Sequence, residues 1–204
     1  HEPFRQMQDR FNMIAVMSPS AESGVSEPGK GIWKNTALGA HFDTFYSARY
    51  LTTLHLKKMN DVLAGTPYEH IIVLVNGDRY GGGGIYNSYT LTDAHGPSFR
   101  PVVVHEFGHS FGGLGDEYPY GDDDPMYFAD TEPWEPNLTT KHDFHGKWEN
   151  LIREKKAGLV EGGGYLTHGV WRGFENCRMR TNEEPEFCLV CQQALIRLIN
   201  FYTE

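Results

Sequence analysis

The sequence is poor in cysteine, lacks long apolar runs and has fewer basic than acidic residues. No apolar run approaches the ~18 residues that a membrane-spanning helix needs, so we expect no membrane span. Lys and Arg number 18 against 27 Asp and Glu, which gives a formal net charge of −9. Nucleic acids and anionic membranes both require a basic protein surface, so we expect neither as a partner.

Only three cysteines are present, Cys177, Cys188 and Cys191, and all of them lie near the C-terminal end. An odd number of cysteines cannot pair completely. Three states are therefore open to them: one disulfide that involves Cys177, three thiolates on a metal ion, or three free thiols.

What the chain does contain indicates one globular domain. Its 204 residues are 39% apolar and 22% charged, which is typical of a folded protein rather than a disordered one. We find no internal repeat and no low-complexity linker, so we expect a single domain over residues 1–204. Its N-terminal lobe should cover about 1–113 and its C-terminal lobe about 114–204. The sequence opens at His1 rather than Met, and we expect a mature form or an excised piece.

Hydrophobic patterns in the first half predict a helix and two strands. Apolar residues recur at helical spacing from Thr44 to Leu63, and Asp43 is a plausible N-cap. Ile71–Val75 is wholly apolar and β-branched, which predicts a central strand buried on both faces. The more polar segment Ile85–Leu91 predicts a strand at a sheet edge.

A second helix is predicted near the middle of the chain, between Pro101 and the glycine pair Gly112-Gly113. Residues 118–170 lack periodicity, so we expect irregular structure with one short helix near 147–156. A final helix should cover about 186–202. The predicted fold class is α+β: a mixed twisted sheet, an active-site helix, and a loop-rich C-terminal half closed by a helix.

The central helix carries a metal-binding pattern, His105-Glu106-Phe-Gly-His109. Histidines four residues apart lie on one helix face, so their imidazoles can bind the same ion. Zinc with three protein ligands keeps a position for water, and the glutamate between the histidines can take a proton from that water. The acidic pair Asp116-Glu117 follows shortly afterwards and offers the third ligand.

Several segments together resemble a known family. The stretch HEFGHSFGGLGDEY (residues 105–118) is similar to the metal-binding segment of the bacterial IgA metallopeptidase family, which consists of metzincin-like zinc enzymes. The same family pattern is matched by Gly81–Gly84, by Glu161–Arg172 and by Cys177–Arg180. The resemblance extends from about Phe11 to the C-terminus. It implies a metzincin-like zinc peptidase fold.

The resemblance also implies a choice of third ligand. In metzincins the active helix stops at a glycine, and a ligand follows three residues later. Counting from Gly112 reaches Gly115, which has no side chain, whereas counting from Gly113 reaches Asp116. We therefore expect His105, His109 and Asp116 as zinc ligands, with Glu117 as the alternative to Asp116.

The family pattern assigns further roles. Met179 should be buried beneath the metal, as the methionine of the Met-turn. A tyrosine that assists the oxyanion in several metzincins is replaced here by Thr181, and Tyr165 and His168 are candidate substitutes. The strand before the active helix pairs with an extended substrate in metzincins, so Ile85–Leu91 is the predicted substrate-binding edge.

The resemblance therefore implies a zinc-dependent endopeptidase that uses Glu106 as general base and acts on a protein or peptide substrate, such as immunoglobulin A or another host glycoprotein. It would be secreted, periplasmic or at the bacterial cell surface. One alternative is a gluzincin-type aminopeptidase whose third ligand is a later glutamate, Glu132 or Glu135. Another is a non-catalytic module that binds glycans or proteins on a protease fold.

Overall fold

The computed structural model describes residues 1–121, 127–128, 131–142 and 146–204. The chain divides into two compact units. The N-terminal unit is Asn12–Phe111, and the C-terminal unit combines His1–Phe11 with Gly112–Glu204. Among the helices in the described ranges, none has both the length and the apolar character needed to cross a lipid bilayer.

The N-terminal unit is built from two α-helices and a three-stranded mixed sheet, which makes it an α+β fold. In chain order its elements are α1 (Leu56–Val62), β1 (Ile71–Val75), β2 (Gly82–Ile85), β3 (Tyr89–Asp93) and α2 (Phe99–Ser110). The strand order is β1-β3-β2, and β3 pairs parallel to β1 and antiparallel to β2. The most central strand of this sheet is therefore the one that directly precedes α2.

The predicted bounds of β1 are confirmed, but its predicted central position is wrong. Ile72 and Leu74 are 45% and 56% exposed, whereas Val75 is buried. The strand therefore lies at an edge of the sheet and buries one face only. Hydrophobicity alone does not predict the strand order here. The central strand is β3, which contains two threonines and whose five residues are all buried.

The predicted strand Ile85–Leu91 is two strands joined by a tight turn. Asn87 has a left-handed backbone (φ 53°), and Ser88 N–H donates to Ile85 O at 3.0 Å. The second half of the segment belongs to β3, which is paired on both sides. The prediction that Ile85–Leu91 is an open edge for substrate is therefore wrong.

The long helix predicted from Thr44 is also wrong, because only α1 forms. Asp43 is left-handed (φ 62°) and precedes only a short 3-10 turn, Thr44–Tyr46. Its side chain makes no capping hydrogen bond, and the carboxylate accepts the Gly29 N–H at 2.8 Å instead. Leu51 N–H donates to Gly82 O at 2.9 Å, so this segment runs extended beside β2. Backbone pairing with the sheet outweighs the local helical periodicity.

Over its described residues, the C-terminal unit contains a second three-stranded sheet and two α-helices. Its elements are β4 (Leu138–Thr139), α3 (Glu149–Arg153), β5 (Val160–Gly163), β6 (Leu166–Arg172) and α4 (Leu189–Thr203). The strand order is β4-β6-β5, and both pairings are antiparallel. The two predicted helices are present: α3 is shorter at both ends than expected, whereas α4 begins three residues later and ends one residue later.

The β5–β6 hairpin lies in the region that was predicted to be irregular. Gly162, Gly163 and Gly164 all have positive φ, as does Tyr165. Such backbone conformations are cheap for glycine and create a bulged, tightly turned hairpin with little hydrophobic alternation. The short strands consequently leave no periodic signal in the sequence. Leu138, Leu166 and Val170 form the small core beside this sheet.

Candidate active site

Helix α2 is anchored to the central sheet at its C-terminal end. The hydroxyls of Thr90 on β3 and Ser110 on α2 share a buried hydrogen bond of 2.5 Å. The carbonyl of Ser110 also accepts the N–H of Asn87 in the β2–β3 turn at 2.9 Å. These two bonds fix the last turn of α2, which is the turn that carries the second histidine of the motif.

His105 and His109 converge as the helical spacing predicts. Their Nε2 atoms lie 3.0 Å apart, and their rings stand edge to face, with centroids 4.7 Å apart. Both side chains are half-buried. Two imidazole nitrogens on one tetrahedral zinc would be separated by about 3.3 Å, given a Zn–N distance of about 2.05 Å. The observed Nε2–Nε2 distance is therefore close to the distance expected for two histidines that bind the same zinc ion.

The glycine run of β2 lets the strand pack directly on α2. A Cβ atom at Gly82 would lie 2.7 Å from both Cγ and Oε1 of Glu106. A Cβ atom at Gly84 would lie 2.2 Å from Glu106 O and 2.7 Å from the Cβ atom of His109. Any side chain at these two positions would displace the helix or its glutamate. The backbone of β2 therefore forms one wall of the space that the Glu106 side chain occupies.

The chain leaves α2 by a turn at the predicted glycine. Phe111 is the C-cap, and Gly113 adopts a left-handed conformation with φ 61°. Gly112 is not among the glycines with positive φ in the described chain. The turn thus occurs at the second glycine, the position from which the third ligand was counted.

Asp116 belongs to the C-terminal unit, where the β5–β6 turn holds it. It is 7% exposed, and its Oδ2 accepts a hydrogen bond from the hydroxyl of Tyr165. Its backbone carbonyl accepts the N–H of Gly164 at 2.7 Å. Tyr165, which the sequence suggested as an aid to the oxyanion, is therefore a partner of the Asp116 carboxylate. His168 is an exposed residue of β6.

Glu117 has surroundings of a different kind, although it follows Asp116 directly. It is fully buried, and its Oε1 accepts hydrogen bonds from Asn137 Nδ2 at 2.9 Å and from the Cys191 thiol at 3.3 Å. Burial raises the pKa of Glu117 well above its ordinary value, and the nearby Cys177 acts in the same direction. The backbone N–H of Glu117 donates to Met179 O at 2.8 Å, and Met179 is fully buried, as predicted.

Glu132 and Glu135, the alternative third ligands, are committed to other contacts. Glu132 accepts hydrogen bonds from Thr139 and Thr140 and forms an ion pair of 3.2 Å with Lys147. Glu135 is buried and accepts the hydroxyl of Tyr127 at 2.8 Å. Both glutamates thus stabilise the loop that leads into β4.

Asn137 is a site residue that sequence reasoning did not find. It is fully buried and holds the backbone of Gly115 from both sides, accepting its N–H at 2.8 Å and donating to its carbonyl at 2.9 Å. It also contacts Glu117, so it fixes the segment that carries the acidic pair. The partners are 20 to 22 residues away in sequence, so no local pattern indicates this role.

Comparison with known proteins gives one family. The model of the IgA peptidase M64 family matches residues 1–157 and 153–199. A search of curated proteins finds no match to this chain. Since the family match covers nearly the whole sequence, the chain belongs to the IgA peptidase M64 family.

Proposed function

We propose that the protein is a zinc-dependent endopeptidase with His105, His109 and Asp116 as metal ligands and Glu106 as general base. The observation that carries this proposal is the 3.0 Å approach of the two histidine Nε2 atoms on the helix that also presents Glu106. A structural helix has no need to bring two half-buried imidazoles so close together. Family membership supports the peptidase activity itself.

The donor set fits a catalytic zinc ion. Two imidazoles and one carboxylate make three protein ligands, and catalytic zinc sites keep the fourth position for water or substrate. Zinc bound there would supply Lewis acidity, which lowers the pKa of water and polarises a carbonyl group. The hydrogen bond from Tyr165 would orient the Asp116 carboxylate, as partners of metal ligands commonly do.

The protein residues would then move one proton. Glu106 would accept it from the water that attacks the carbonyl carbon of the scissile peptide bond. The same carboxyl group would give the proton to the nitrogen as the C–N bond breaks, so that an amine leaves. The absence of a side chain at Gly82 leaves room for this carboxyl group, because a Cβ atom there would lie 2.7 Å from Glu106 Cγ and Oε1. No covalent bond between protein and substrate is required.

We propose a protein substrate, with immunoglobulin A or another host glycoprotein as the specific candidate, because the family is described by its action on IgA. Such substrates lie outside the producing cell, so the enzyme would act as a secreted, periplasmic or surface-bound protein. A gluzincin-type aminopeptidase is less well supported, since Glu132 and Glu135 are both engaged within the loop before β4.

The ligand set can be tested by replacing one carboxylate at a time. Asp116→Ala should reduce the zinc content by one ion per chain and abolish hydrolysis of a peptide library. Glu132→Gln and Glu135→Gln are matched controls and should keep both properties. N-terminally acetylated peptides should be cleaved internally, as expected of an endopeptidase. Loss of zinc in either glutamine variant but not in Asp116→Ala would contradict this ligand set.

A further inference from the structure

Three thiols and a carboxylate form a second cluster in the C-terminal unit. The cluster consists of Cys177, Cys188, Cys191 and Glu117, all of them buried. One ligand atom from each residue can be chosen so that all four lie within 4.8 Å of one another. The four donor atoms come from three separate segments of the chain and converge in the interior, which indicates a common ligand.

The distances in the cluster differ from those of a disulfide. The Sγ atoms of Cys177 and Cys191 are 3.6 Å apart, whereas a disulfide requires about 2.05 Å. Two sulfurs on one tetrahedral zinc, at about 2.3 Å each, would lie about 3.8 Å apart. Cys191 Sγ and Glu117 Oε1 are 3.3 Å apart, against about 3.6 Å for a sulfur and an oxygen on one zinc. The spacing is thus close to that of a closed tetrahedral site.

We propose that Glu117, Cys177, Cys188 and Cys191 bind a structural zinc ion, separate from the histidine site. Zinc fits a set of soft thiolates completed by one carboxylate, whereas hard cations such as Ca²⁺ require oxygen ligands. Four protein ligands leave no position for water, so this ion would have a structural role.

The second carboxylate oxygen of Glu117, Oε2, supports a role for this residue as a metal ligand. Glu117 Oε2 is completely buried and has no hydrogen-bond partner within the described ranges. A buried carboxylate oxygen without a partner is costly, and a metal ion removes that cost. The other oxygen, Oε1, accepts Asn137 Nδ2 at 2.9 Å, a contact of the kind that orients carboxylate ligands.

The backbone around the cysteines is also arranged for thiolates. Cys188 is the N-cap of α4, and its N–H donates to Cys177 Sγ at 3.2 Å. Cys191 lies in the first helical turn, where the helix dipole favours negative charge. Hydrogen bonds from the other two thiols lower the pKa of Cys188, although burial raises the pKa values of Cys177 and Cys191. Zinc would stabilise all three as thiolates and release their protons.

Two buried arginines balance the charge of the proposed site. Three thiolates and one carboxylate carry four negative charges, and a zinc ion neutralises two of them. Arg172 interacts electrostatically with Glu117, and Arg178 interacts with Cys177. Both arginines are only 3% exposed, and their guanidinium groups also donate to backbone carbonyls. Arg172 additionally forms an ion pair of 3.6 Å with the exposed residue Glu175. The charges of the four ligands, the ion and these two arginines would then sum to zero.

The proposed ion would join three segments that are distant in sequence. It would tie the Glu117 segment to the turn that begins at Cys177 and to the start of α4. The first two are already linked by the bond from Glu117 N–H to Met179 O. The site would therefore fix the backbone next to Asp116, and its loss would loosen the acidic pair.

Cobalt exchange in the full chain tests the proposal, because thiolate ligation gives near-ultraviolet charge-transfer bands that histidine and carboxylate ligands cannot give. The cobalt-loaded wild type should show these bands, and zinc should abolish them. The variant His105→Ala/His109→Ala should keep the bands, which separates this site from the proposed peptidase centre. Cys191→Ser should weaken them strongly, and the control Glu135→Gln should leave them unchanged.

A thiol titration of the wild type provides a measure that does not depend on a variant folding. Unfolded without reductant, each chain should show three free thiols. In the folded protein, a mercurial reagent should release one zinc as the three thiols react. One free thiol per unfolded chain would reveal a disulfide and overturn the proposal. Cobalt-loaded protein without charge-transfer bands would overturn it equally.

Discussion

Replacing Gly84 by alanine should damage both the stability of the protein and its active helix. Gly84 lies on β2, directly against α2, and it does not have a positive φ, so alanine brings no backbone strain of its own. The added Cβ atom would meet Glu106 O at 2.2 Å and His109 Cβ at 2.7 Å. Real Cβ contacts essentially never fall below 3.0 Å, so strand and helix must separate by about 0.8 Å.

The loss of stability expected for Gly84→Ala depends on which atoms the new methyl group displaces. The atom in the way is helix backbone, which cannot rotate aside, so we expect the upper part of the 1–3 kcal/mol range for overpacking, about 2–3 kcal/mol. The shift also moves Glu106 and His109 together. Misplacing catalytic groups by about 1 Å costs on the order of 10²-fold in rate. Denaturant unfolding and peptide hydrolysis measure the two effects separately.

Two further glycines provide the comparison. At Gly82 the added atom would meet the Glu106 and Val102 side chains at 2.7–2.8 Å, and side chains can move. Gly82→Ala should therefore cost less stability than Gly84→Ala, while still disturbing the Glu106 carboxylate. Gly158 has nothing within 4 Å of its Cβ position, so Gly158→Ala should change neither property. Equal stability of the Gly84 and Gly158 variants would refute the close packing of β2 on α2.

Two other predictions concern Tyr165 and His70. Tyr165→Phe removes the hydrogen bond to the Asp116 carboxylate. It should weaken zinc binding, measured by competition with a chelator, by about 10- to 100-fold. An unchanged zinc affinity would show that Tyr165 does not orient Asp116 as a metal ligand. Burial lowers the pKa of His70 from 6.5, so the unfolded chain binds its proton first as pH falls. The free energy of unfolding of the wild type should therefore decline below pH 6.5, and the decline should be shallower in His70→Phe. Equal pH dependence of the unfolding free energy in the two proteins would contradict this prediction.

The sequence was most informative where the signal is local. The helix with His105 and His109 follows from four-residue spacing, and the turn at Gly113 follows from glycine at a helix end. Both features depend on residues a few positions apart. The metal-binding chemistry that we propose for this segment is therefore suggested by the amino-acid sequence alone.

Sheet order and the contacts of the acidic pair could not be derived in this way. The most apolar strand, β1, lies at the edge, whereas β3 is buried at the centre because partners such as Ser110 satisfy its threonines. Tyr165 is 49 residues from Asp116, and Cys191 is 74 residues from Glu117. Such pairs come into contact only in the folded protein, so a single sequence does not indicate which residues form them.

The central claim is that Glu106 activates water at a zinc site formed by His105 and His109. The most direct test is the hydrolysis rate of zinc-loaded Glu106→Gln, with the zinc content measured on the same sample. The amide can still hydrogen-bond to water but cannot accept its proton. We predict wild-type zinc content and a rate lower by at least about 10²-fold. Near-normal turnover at full zinc occupancy would contradict the assignment of Glu106 as the base.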